Sequence, residues 1–361
     1  MGGPGDPPEG TPEGVPGGGD DEYRSVVFDE SFVRAARLQE FSARERIGEH
    51  TPAVRPRRSW GRLTPSRQAV ILVALIAVAF AAAVYMGIRN PYQQPARPVA
   101  EPLRSSVVPL APRDPVPGGR PAELFLHSPA AGYATGAEGI TQPAVRRTEN
   151  FTEAEVLGAL DVVREYVVQS SLDRGVLSGG SARPVRTLLD PTQYAQFDRS
   201  LTRPADDGRY AATGWLTRFD PARVELTDEP VRVRGTLSVV ERPAGTLEVI
   251  ADHTFVYAVR PAGDHEPDAA SLFTVHRETR FRLDSQDVRD HRLELAHSAL
   301  QAGPQSCAAD AAGYLRPLFA GESARGDRSD GTDPYRTGRL SVPVCGVLDP
   351  AAQPDATPPG R

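Results

Sequence analysis

Between Arg67 and Arg89 the chain runs QAVILVALIAVAFAAAVYMGI, Gln68 to Ile88, without a charged residue. As a helix rising about 1.5 Å per residue, a run of about 21 residues reaches about 30 Å, the thickness of a bilayer's hydrocarbon core. Apolar residues fall all round such a helix, whereas a helix packed on a globular core keeps a polar face. The run therefore predicts a transmembrane helix over 68–88, against the alternative of a buried core helix, and it divides the chain into two flanks.

The flanks predict an orientation. Arginines collect on the cytoplasmic side of a span, and Arg55, Arg57, Arg58, Arg62 and Arg67 crowd the N-terminal flank beside Trp60, while Arg89, Arg97 and Arg104 are spread more widely after it. The expectation is a cell-membrane protein with a single signal anchor, a cytoplasmic N-terminus and an extracytoplasmic C-terminal domain. A cleaved signal peptide would begin near residue 1 and have a shorter apolar region, but here a Gly/Pro-rich acidic arm comes first. All 41 basic residues are Arg, which points to GC-rich coding, and the net charge of -6 argues against a nucleic-acid partner.

Residues 1–22 contain almost nothing to bury and read as a disordered arm. Over 23–50 the sequence predicts an amphipathic helix. Asp29, Glu30 and Ser31 suit its start, Arg44 and Arg46 precede Gly48 at its end, and Glu30–Arg34 and Glu40–Arg44 are acid-first pairs four apart. Phe28, Phe32, Leu38 and Phe41 give it apolar anchors with no domain of its own to cover them. Phe28–Gly48 is thus a candidate docking segment for a cytoplasmic or membrane protein partner, or for the bilayer beside the basic linker 51–67. The alternative is a marginal helix in a disordered tail. The stretch FDESFVRAARLQEFSARER, with the Arg/Pro linker and one span after it, resembles a group of uncharacterised single-pass membrane proteins of Streptomyces and related actinobacteria. The resemblance is specific over Phe28–Arg46 and looser beyond the span. It implies an actinobacterial cell-membrane protein and supplies no catalytic residue.

Residues 89–147 are rich in proline, with only LFLH, Leu124 to His127, suited to local order, and read as an extended stalk. The folded domain is expected over 148–320. Thr152 and Glu155 form a capping box, with Val156, Leu160, Val163 and Val167 on one face of a helix to about Ser171. Asp190 and Pro191 open a second helix ending near Leu201. After Trp215 the period becomes two: strands around 231–239 and 247–259 form a hairpin, 273–283 a third strand and 288–299 a fourth. Helices followed by an antiparallel meander predict an α+β class, a curved antiparallel sheet wrapped round helices. This element order is similar to the nuclear-transport-factor-2-like and cystatin-like rolls, including the periplasmic domains of single-span secretion components.

Cys307 and Cys345 are the two cysteines. One disulfide is the leading expectation, tethering the polar tail 321–361, with two free thiols or a metal pair as alternatives.

No constellation specifies a reaction. His253 alternates with apolar neighbours on one strand and His276 lies on the next, so the two could approach each other, Asp252 or Glu278 and line a pocket, with a structural histidine as the plain alternative. His291, Glu294 and His297 alternate faces unfavourably for one metal ion in a strand. No phosphate loop or nucleophile elbow is present, Asn150 in NFT overlaps the helix cap, and the RGD at 325–327 sits in a polar loop. The expectation is a non-enzymatic structural or interaction protein without metal or cofactor, its outer domain assembling with envelope components. The alternatives are a ligand-binding or sensory domain and an enzyme using His253. An open cavity at His253 would favour these alternatives; a filled interior would favour assembly.

Overall fold

A computed structural model describes residues 67–89, 101–243, 245–324, 331–335 and 345–355. Contacts divide the chain into two units, Met1–Tyr92 and Gln93–Arg361. The docking residues Phe28, Phe32, Leu38 and Phe41, the flank residues Arg57, Arg58, Trp60 and Arg62, and the arm 1–22 lie outside the described residues.

In the first unit the described element is α1 (Arg67–Arg89). Among the described residues no helix is long and apolar enough to cross a membrane. This contradicts the transmembrane helix expected over 68–88, and with it the single-pass cell-membrane location and its orientation.

The second unit is α+β. Its strands are β1 (Arg104–Ala111), β2 (Ala134–Thr135), β3 (Ile140–Thr141), β4 (Val224–Leu226), β5 (Arg232–Arg242), β6 (Thr246–Pro261), β7 (Ser271–Leu283), β8 (Glu294–Gly303), β9 (Gly331–Thr332) and β10 (Gly346–Leu348). They form one ten-stranded sheet in the order β2-β5-β6-β7-β8-β1-β10-β9, with β3 also on β5 and β4 on β6. The purely antiparallel roll is corrected by this topology. β5 to β8 are an antiparallel meander, but β1 runs parallel to both β8 and β10, β9 parallel to β10, and β3 parallel to β5.

Two expected segments outside the domain belong inside it. β1 lies within the stretch expected as a stalk, and β10 lies in the polar tail. Proline disfavours a central strand because it cannot donate to the ladder. Pro109 sits where β1 passes from its β8 neighbour to its β10 neighbour: Arg104 to Pro109 pair with β8, Leu110 and Ala111 with β10. Val108, Leu110, Leu348 and Ala352 then close a small apolar cluster. Cys307 and Cys345 form a disulfide with Cα atoms 5.7 Å apart across 38 residues of sequence. This bond anchors the chain just before β10.

The helices of this unit are α2 (Pro121–Leu126), α3 (Glu153–Ser171), α4 (Arg174–Leu177), α5 (Arg183–Leu188), α6 (Tyr194–Thr202), α7 (Ala212–Trp215) and α8 (Ser285–Asp290). The Thr152 hydroxyl accepts from the Glu155 amide at 3.2 Å, and the Glu155 carboxylate accepts from the Thr152 amide at 3.0 Å. This capping box satisfies two end groups of α3. Val156, Leu160, Val163 and Tyr166 of α3 are buried against the sheet face that carries Val249, Phe255, Val275 and Phe281 in the main core. The opposite sheet face is covered in part by Leu124, Phe125 and Tyr133, packed on Val256 and Leu272. The strand expected over 288–299 is instead α8, then a turn, then β8. Asp284 caps α8 through the amides of Gln286 and Asp287, and His291 takes φ 55° at its C-terminus.

Candidate functional site

Strand periodicity decides which polar groups meet. In an antiparallel pair, residues directly opposite each other share a face and adjacent residues do not. His253 pairs with Arg277 and Thr254 with His276. The two histidines expected in one pocket therefore point to opposite faces of the sheet and do not combine. His276 does approach Asp252, its Nε2 lying 2.6 Å from a carboxylate oxygen. His253 is buried in the core, where desolvation first of all pushes its pKa down to about 4; the Asp252 charge opposes the shift and His276 adds to it. The cavity it lines is only about 10 Å³. A neutral imidazole closed into so small a space has no room for substrate.

The larger opening lies elsewhere. Where the β5–β6 turn, the end of β7, the cap of α8 and the start of β8 converge, a cleft of about 630 Å³ is lined by Glu101, Asp190, Glu248, Asp284, Asp287 and Glu294 against Arg242 and Arg282. Six carboxylates thus face two guanidinium groups, and both arginines are engaged. Arg242 donates to Glu248 at 2.5 Å, and Arg282 lies 3.1 Å from Glu101 and 3.7 Å from Glu294. Asp284 and Asp287 are held by the α8 capping box. Asp190 caps the turn that follows it, accepting from the Thr192 amide at 2.8 Å, while its own amide donates to the Leu293 carbonyl.

Glu294 is the perturbed group of this cleft. Burial pushes its carboxyl up to about 7; Arg282 opposes the shift, and the Glu101 and Asp190 carboxylates reinforce it. One Glu294 oxygen also accepts from the Glu101 amide at 3.2 Å. A carboxylate held near neutrality among other carboxylates is relieved by any cation that enters. The arrangement can accept an ammonium or guanidinium group. Among the described residues no group of three or more His, Cys, Asp or Glu could hold a metal ion. His291 Nε2 donates to the Glu165 carboxylate at 2.7 Å, and His297 lies across from Arg104 and Arg280.

The cleft was not read from the sequence because Glu101, Asp190, Glu248 and Glu294 lie far apart along the chain, and only the sheet brings them together. The capping signals at Asp190 and at Asp284 were present, but they marked element boundaries and not their meeting. No family model matches the chain, and no curated protein or solved structure matches it.

Proposed function

We propose that the folded unit is an interaction module, not an enzyme, and that the acidic cleft recognises a basic segment of a partner protein. The observation that carries this reading is the contrast between the His253 cavity and the acidic cleft. His253 lines a cavity of only about 10 Å³, too small for an organic substrate, whereas the cleft of about 630 Å³ presents an excess of carboxylates whose arginine neighbours are already paired. Charge of this kind steers and selects a cationic partner more than it drives chemistry. A partner at Phe28–Gly48 belongs to the same reading of the chain as an assembly component.

The test uses the full chain and an Arg-rich nine-residue peptide as probe, measured by titration calorimetry at low and high salt. The expected result is binding that weakens with salt and falls at least tenfold in the Glu101→Gln/Glu294→Gln double variant. Absence of binding, or binding that the double variant leaves unchanged, overturns the cleft as the recognition site.

A further inference from the structure

Arg277 lies on the core face of β7, 4 % exposed, in the position of an apolar residue. A guanidinium does not give up its charge inside a protein, so it must be compensated where it stands. Its partners are the Thr213 carbonyl at 2.8 Å, the Gly214 carbonyl at 3.1 Å and the Thr217 hydroxyl at 3.4 Å. The first two are the carbonyls at the C-terminal end of α7, which that one-turn helix leaves without amide partners. These are dipoles, not charges, and the ionisable groups that act on Arg277 are the Tyr166 and Tyr257 hydroxyls, with no carboxylate among them. Its Nε has no protein partner among the described residues.

Beside Arg277 is the cavity of about 10 Å³ that His253 lines, with Ser170, Ser171 and Thr279 supplying hydroxyls. His253 is 2 % exposed and its Nε2 also has no protein partner. The Ser170 hydroxyl lies 3.4 Å from both the Val167 carbonyl and the Ser171 hydroxyl, and the Thr279 hydroxyl 3.5 Å from the Ala251 carbonyl; bonds this long leave both free to turn toward an occupant. Every side-chain polar group on this wall can donate, one is a fixed cation, and no carboxylate is present. The volume admits about one water-sized occupant.

We propose that this cavity is a binding site for one small monovalent anion of the halide class, held by the Arg277 guanidinium and the Nε2–H of His253. Such an ion completes the charge balance that the α7 carbonyls leave open. The size of the cavity excludes sulfate and phosphate. Because the site is enclosed by the core, the ion enters with folding and stabilises the folded unit by linkage.

Two measurements on the full chain test this. In crystals grown in sodium bromide, an anomalous bromine peak is expected between Arg277 and His253; a cavity with water density and no bromine peak overturns the proposal. In parallel, thermal unfolding is compared in sodium bromide and sodium gluconate at equal ionic strength. Halide at about ten times its dissociation constant shifts the unfolding equilibrium about tenfold, which for a unit of this size raises Tm by about 3–5 °C. Arg277→Met removes that increment, and Thr279→Val, a milder change in the same wall, reduces it. Equal Tm values for the unaltered protein in the two salts, or an undiminished increment in the variants, overturn the proposal.

Discussion

His253 stands directly across the β5–β6 ladder from Gly235, and its imidazole fills the space that a side chain at 235 would need. A Cβ at Gly235 would overlap the His253 ring and the Asp252 carbonyl. The glycine is a partner of the histidine: one supplies the ring, the other the absence of a side chain.

Gly235→Ala is accordingly expected to destabilise the folded unit by about 2–3 kcal/mol, the upper range for overpacking, because backbone as well as ring must shift. Guanidinium denaturation of the variant checks this. A midpoint unchanged from the unaltered protein would contradict the close approach.

His253 also sets an acid limb of stability. Its folded pKa, about 4, lies below the ordinary histidine value of 6.5. The unfolded chain therefore takes up this proton first as pH falls. The contribution is present in full above pH 6.5 and is lost progressively as pH drops from 6.5 toward 4, to a total of about 3 kcal/mol. His253→Phe keeps an aromatic ring and removes the titration. Unfolding free energies measured between pH 4 and 7 in halide-free buffer are expected to fall less steeply for the variant.

Glu294 has the opposite sign. Its folded carboxyl is raised to about 7, so the folded state holds the proton longer than the unfolded chain does. Ionised Glu294 costs nothing below the usual carboxylate range, and its cost grows as pH rises, complete above pH 7. Glu294→Gln is expected to stabilise at pH 8 by about 1 kcal/mol, discounted for partial solvation and the nearby Arg282, and to leave stability at pH 4 unchanged. The difference between the two pH values is the measurement.

The Cys307–Cys345 disulfide closes a 38-residue separation and anchors β10 beside β1. Cys307→Ser is expected to lower stability by about 3–4 kcal/mol in the chain-entropy view. A reductant should lower the denaturation midpoint of the unaltered protein to that of the variant and leave the variant itself unchanged. Hydrogen exchange should show the loss first at Val347 and Leu348, which sit in the short β10 pairings next to Cys345.

What the sequence determined by itself was local. The α3 capping box at Thr152 and Glu155, the Asp190–Pro191 helix entry, the β5–β6 hairpin and β7 were all legible, because capping and alternation are written in neighbouring residues. The alternation over 288–299 predicts one strand, but the Asp284–Asp287 box carries 288–290 into α8 and β8 starts only at Glu294. Proline density concealed β1, since a strand with Pro109 in it is admissible only where neighbours change. Tertiary structure decided the rest. β1 became a strand by pairing with β8 and, at its end, with β10 more than two hundred residues away, the acidic cleft arose from four elements ending at one place, and His253 was separated from His276 by a register in which adjacent positions face opposite ways. Arg277 interrupts the alternation of β7, and only packing encloses it with His253. Local propensity reaches a few residues along the chain; charge balance and enclosure depend on which distant residues the fold brings within a few ångströms.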